Sequence, residues 1–317
     1  MNLVEISFAI LFPLQVVLGV LENVDLLLLS VSSSLRSIEQ ILTHLALANT
    51  LVLLSKGIPE AMEAWRIKKF LDAIGCKILI YCSRVGRGLS ICMTYLLSVF
   101  QAITISPGTS FWATLKAKAP MCITPSCLLF WILSLSLDVP SLMYITGPKN
   151  KTNTRNIFNL IYCSSVSLPS GVTHGLSTVF ILWDLIFVEL MSAASGYMVC
   201  VLRRHHRLVH HLHGSSHSPR VMPEVSAAKR VIALVTLYVL LYGNNTITLN
   251  ALLDNKIDSP LLLNVHMTLS LFFPTAVAEP YAAKRDVVLA LMGGAYWDRL
   301  LLMGAWSLLF LAEQCQV

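Results

Sequence analysis

Charge is scarce in this chain of 317 residues: aspartate, glutamate, lysine and arginine make up 13% of it, against 56% apolar residues. The apolar residues also do not alternate with polar ones but come in long runs, which excludes an ordinary soluble domain and places the chain among polytopic membrane proteins. The basic excess of +6 is small and scattered over connecting segments. No basic tract is interleaved with aromatics, and no helix-turn-helix or zinc-ribbon spacing occurs, so no nucleic-acid partner is expected. Signatures of catalysis are missing as well: there is no phosphate-cradling glycine loop, no HExxH and no nucleophile elbow. The chain therefore reads as neither an enzyme nor a cofactor carrier. The two halves show no internal repeat, which argues against a secondary transporter. No basic n-region or small-residue cleavage site precedes the first apolar run, so that run is expected to stay as a span. Cys315 is third from the end, not fourth, and misses the prenylation pattern.

What is present is a series of apolar runs, each about as long as the ~20 residues a membrane-spanning helix requires. They predict an all-α membrane protein, a bundle of seven transmembrane helices over about 6–31, 39–62, 76–105, 122–145, 176–202, 229–250 and 260–283. Glu22, Asn23 and Asp25 interrupt the first, and His44, Asn49 and Lys56 the second. Gly57 and Pro59 are expected to kink or end the second span, Pro107 to close the third, and Pro140 to kink the fourth. A connection with Lys116 and Lys118 runs to about Pro120, and a polar histidine- and arginine-rich loop follows the fifth span. The tail, 284–317, is apolar but split by Gly293, Gly294, Asp298 and Arg299. It is expected to lie in the membrane interface or to be disordered.

The third run, Gly75 to Pro107, carries Arg84 and Arg87. A charge at bilayer depth is costly, and two of them three residues apart share one helix face, so this helix must line a bundle interior or a wet cavity. Gly86 and Gly88 let neighbours come close. At ~1.5 Å per helical residue, Arg87 lies ~16 Å below Cys76, and Asp184 lies ~15 Å into the fifth span if that begins near Gly175. Arg84, Arg87 and Asp184 are thus candidates either for ligand binding or for an interhelical lock. Tyr81, Tyr242, Asn245 and His266 fall at similar depth. They suit a small amphipathic ligand, although ordinary packing with one satisfied polar tip is the commoner role for any single one of them.

Five of the eight cysteines, Cys82, Cys92, Cys122, Cys127 and Cys200, fall inside apolar runs and read as small hydrophobes. Cys76 and Cys163 fall near loops, where a bridge could form outside the cell. Asn150, Lys151 and Thr152 form a glycosylation acceptor. Lysine and arginine counts orient the bundle weakly, whereas a bridge at Cys76 and Cys163 and a glycan at Asn150 require the outer side. That places the N-terminus outside and the C-terminus in the cytosol. The cytosolic basic residues Lys116, Lys118, Arg203, Arg204 and Arg207 then face a signalling partner. The histidines at 205, 206, 210, 211 and 213 lack the cysteine or carboxylate that would complete a tetrahedral metal site.

The segments HLALANTLVLLSKGIPEAM at 44–62, GCKILIYCSRVGRGLSICMTYLLSVFQAITISP at 75–107, YCSS at 162–165 and HSPR at 217–220 resemble the vomeronasal type-1 receptors. The resemblance runs from about Gly19 to Pro274. It implies a seven-helix pheromone or chemosignal receptor, multi-pass in the plasma membrane, that takes a small-molecule ligand and couples to a heterotrimeric G protein of the inhibitory type. It also implies that Cys76 and Cys163 are disulfide partners, that Asn150 carries a glycan, and that Arg84 and Arg87 fall on the family's arginine pair. Glu22, Glu189 and the sequence after Pro274 depart from the family pattern. The alternative readings are a non-signalling receptor of the same family, a bitter-taste-like receptor, or a secondary transporter.

Overall fold

The computed structural model describes residues 3–32, 37–65, 67, 71–108, 110–145, 157–159, 163–166, 170–212, 235–236, 239–241 and 260–276. The helices whose bounds lie in this set are α1 (Leu3–Ser32), α2 (Ser37–Val52), α3 (Ile58–Ala64), α4 (Ala73–Ile105), α5 (Ser110–Tyr144), α6 (Ser170–Leu212) and α7 (Pro260–Ala276). A π-helical turn, Leu53–Gly57, joins α2 to α3 without a break, so Gly57 and Pro59 do not end the second span. Five stretches are long and apolar enough to cross a membrane: Ile6–Leu28, Ser37–Met62, Ala73–Ile105, Ser110–Pro140 and Leu182–Leu202. The expected sixth span falls on the described residues only at 235–236 and 239–241, which are helical. The seventh is helical over Pro260–Ala276, while the tail from 277 lies outside the described residues.

The helix α4 is the central post. Asp72 caps its start, accepting the Gly75 N–H at 2.7 Å, and Ser106 ends it in extended conformation because Pro107 disfavours helical geometry in the residue before it. Its buried face, with Leu89, Met93 and Leu97 fully covered, packs among α2, α5 and α6. A Cβ on Gly86 would sit 3.0 Å from the Ala48 carbonyl oxygen and 2.9 Å from Val52, so the glycine permits close approach of α2 to α4. Several hydroxyls within the apolar helices are satisfied locally. The hydroxyls of Thr50, Ser55, Thr94 and Ser98 each donate to the carbonyl one turn back. Asn23 is fully buried and donates to the carbonyls of Gly19 and Pro274, tying α1 to α7.

Two expectations are corrected. The connection holding Lys116 and Lys118 is helical: α5 begins at Ser110 and runs through Pro120, because a proline removes one donor and leaves one carbonyl without a helical partner, a cost water offsets near a membrane surface. The helix of the fifth span, α6, likewise starts at Ser170 and continues to Leu212, so Arg203, Arg204, Arg207 and the histidines 205, 206, 210 and 211 belong to a helix, not a loop. Between α5 and α6, Ile157–Asn159 and Ser164–Val166 form a short antiparallel hairpin, β1 and β2, which leaves the expected all-α class standing.

Another proline has a specific partner. Pro13, inside α1, leaves the Ala9 carbonyl without its helical N–H, and the Trp65 indole N–H donates to that oxygen at 2.6 Å. Trp65→Phe should therefore lower stability by about 1–2 kcal/mol, read as thermal melting of the detergent-solubilised protein. On a Pro13→Ala background, where the helical donor returns, the same change should cost clearly less; an equal cost in both backgrounds would rule out this role for the indole.

Candidate functional site

The two arginines of α4 are one turn apart and reach different helices. Arg84 Nε lies 2.8 Å from Asp138 Oδ1 on α5, and Arg87 Nη2 lies 3.0 Å from Asp184 Oδ2 on α6. Asp138 and Asp184 are 9% and 17% exposed at their side chains, against 39% and 48% for Arg84 and Arg87. The carboxylates are thus the desolvated members, and each arginine reaches inward from more open ground. Asp184 meets Arg87 although α6 starts earlier than expected, since its position relative to α4 decides the contact.

Sequence reasoning does not single out Asp138. The available signal is a second carboxylate at membrane depth, close before Pro140, needing a cation. It also misses a further pair: Lys56 Nζ lies 3.8 Å from Glu60 Oε1 across one turn of the second span, and Glu60 is 1% exposed. The π-turn at Leu53–Gly57 directly precedes the helix that holds Glu60, and such turns recur at functional sites. Tyr81, also on α4, donates its hydroxyl to the Leu135 carbonyl at 2.9 Å, so its polar tip is committed to α5.

Cys76 and Cys163 are joined by a disulfide, with Cα atoms 5.9 Å apart. Both are fully buried, packed with Ile80 and Ile145. The bridge fastens the start of α4 to the chain just before β2. Depth along α4 places Arg84 and Arg87 two to three turns below it.

Of the remaining candidates, Tyr242, Asn245 and Asn150 lie outside the described residues, as does the side chain of His266 on α7. At the far end of α4, Lys118 and Arg204 are exposed, whereas Lys116 donates to the Ser106 carbonyl at 2.7 Å. Arg203 and Arg207 are placed on α6 by their backbone. Among the described residues, no group of three or more histidine, cysteine or acidic side chains is arranged to hold a metal ion.

Several membrane-length helices packed around a charged post, with one end fastened by a disulfide, define a polytopic helical membrane protein. The chain belongs to the vomeronasal organ pheromone receptor family, whose family model matches residues 6–278. It is 40% identical over 269 residues to the human vomeronasal type-1 receptor 4, covering 82% of this chain and 88% of the relative. To the human vomeronasal type-1 receptor 2 it is 39% identical over 269 residues, 82% of this chain and 67% of that one. The zebrafish (Danio rerio) olfactory receptor class A-like protein 1 is 34% identical over 239 residues, 73% of this chain and 74% of its own length. The family match thus begins earlier than Gly19 and ends four residues after Pro274. As a member of this family, the protein is a chemosensory receptor that resides in the plasma membrane and crosses it several times.

Proposed function

We propose that this receptor is G-protein-coupled, with seven spans, an outer N-terminus and a cytosolic C-terminus. It binds a small chemosignal in a pocket at the disulfide end and signals through a heterotrimeric G protein of the inhibitory class. The observation that carries this reading is the placement of Arg84 and Arg87, one turn apart on the central helix, paired to carboxylates on two different neighbours. A ligand that engages one of these groups more strongly in one helix arrangement than in another shifts the balance between the arrangements. Tyr242, Asn245 and His266 complete the pocket from the sixth and seventh spans, and Asn150 carries a glycan on the outer loop. Lys118, Arg203, Arg204 and Arg207 face the G protein, with Lys116 behind them.

The second reading, a family member that does not signal, is favoured by one observation: the family match stops at residue 278, leaving 279–317 outside it. The deciding experiment expresses the receptor with a promiscuous chimeric G protein and applies a panel of small amphipathic compounds while solute uptake is followed in parallel. Compound-evoked nucleotide exchange that disappears in Arg87→Ala is the expected result. Surface expression without exchange under any compound selects the non-signalling reading, and uptake without exchange selects a transporter.

A further inference from the structure

At the end of the bundle opposite the disulfide, three helices converge on one residue. Ser106, the cap of α4, is 3% exposed and uses every polar group it has. Its N–H donates to the Ile103 carbonyl at 3.3 Å and its hydroxyl to the Ala102 carbonyl at 2.7 Å. The Tyr197 hydroxyl on α6 lies 3.0 Å from Ser106 Oγ, and because the serine's one proton is already directed at Ala102, the tyrosine is the donor. The Ser106 carbonyl accepts from Lys116 Nζ at 2.7 Å, a cation from the second turn of α5 placed at the negative end of α4. Trp112, on the first turn of α5, stacks on the Tyr197 ring with centroids 5.6 Å apart and planes at 27°.

We propose that Ser106, Lys116, Trp112 and Tyr197 form a latch that holds α6 against α4 and α5 and so sets the receptor's resting state. Beyond Tyr197, α6 continues for fifteen residues to Leu212, a lever of ~22 Å at 1.5 Å per residue. Arg204 lies seven residues past Tyr197, two turns on and therefore on nearly the same helix face. An outward swing of this lever must break the Tyr197 to Ser106 bond and unstack the ring from Trp112. These are modest interactions, so the latch biases a two-state element without freezing it. Lys116 is shared between α5 and the end of α4, so it anchors the fixed side of the latch while Tyr197 is the movable side.

The test uses the full chain in lipid nanodiscs and two readouts. Hydrogen–deuterium exchange over 198–212 reports opening of α6 directly, and basal G-protein nucleotide exchange reports its consequence, the second resting on the proposed coupling. In Tyr197→Phe, losing one hydrogen bond should raise both about five-fold. Ser106→Ala removes that bond together with the one to the Ala102 carbonyl, so it should raise both at least as much, and adding Tyr197→Phe to it should add nothing further, since the shared bond is already gone. Tyr95→Phe, which alters a tyrosine packed against Phe130 and Phe187, should change neither. Unchanged deuterium exchange in both Tyr197→Phe and Ser106→Ala overturns the latch. Raised deuterium exchange with no nucleotide exchange in any form, the unaltered receptor included, upholds the latch and counts against G-protein coupling instead.

Discussion

Asp138→Arg is expected to remove the receptor from the cell surface, and adding Arg84→Asp in the same chain is expected to bring it back. The single reversal sets two cations against each other where an ion pair of 2.8 Å stood, at a carboxylate site that is only 9% exposed. Removing one partner of a buried pair costs about 3–5 kcal/mol, and the partial exposure of Arg84 brings the expected loss to about 2–3 kcal/mol. Marginal stability makes a loss of that size enough to divert most of the protein to degradation. The double reversal restores opposite charges on the same two helices. Its specificity is the stronger test: Arg87→Asp should not rescue Asp138→Arg, because Arg87 is paired to Asp184 on α6. Rescue by both arginine variants alike would mean that bulk charge, not this pairing, sets expression. The same exchange at Arg87 and Asp184 separates lock from ligand anchor. If the swapped pair expresses and yet loses compound-evoked signalling, the arginine has a role beyond holding helices together.

Cys163→Ser should lower the melting temperature by the largest margin of any conservative change at the disulfide end. The bond joins residues 87 apart in sequence, and cross-links of that span contribute about 2–5 kcal/mol, mainly by restricting the unfolded chain. Cys76→Ser should cost the same, and the double variant no more than either single one, since each removes the same bond. Additive losses would show that the two sulfurs stabilise the fold separately. Mild reduction of the unaltered receptor should reproduce the effect and leave the double serine variant unmoved.

The long apolar runs are legible because each residue's transfer to lipid contributes independently of the others, so a window of sequence suffices to find a span. Helix ends are less so. Lys116 and Lys118 read as a loop, and Arg203 to His211 as another, because charge marks where the membrane ends, whereas the helix continues wherever its backbone bonds remain satisfied. The same logic explains the uneven reading of the charges. Arg84 and Arg87 stand out because a cation at depth must have a reason, and Asp184 can be matched to Arg87 by depth alone. Asp138 and Glu60 escape notice because they lie near prolines that suggest the ends of their spans. Trp65 reads as a loop residue, since only the approach of α3 to α1 brings its indole to the carbonyl that Pro13 leaves open.

Composition and pattern are therefore enough to place this protein in the membrane, to single out α4 as a lining helix and to require partners for its arginines, while the resemblance of its second and third spans to a known family suggests its kinship. The pairing of Arg84 with Asp138, and the gathering of α4, α5 and α6 on Ser106, are decided by tertiary structure alone. The cost of burying a charge is a property of one residue and can be read along a chain. A hydrogen bond or ion pair depends on the relative depth and rotation of two helices, and a shift of one residue, about 100° of turn, replaces one partner with another.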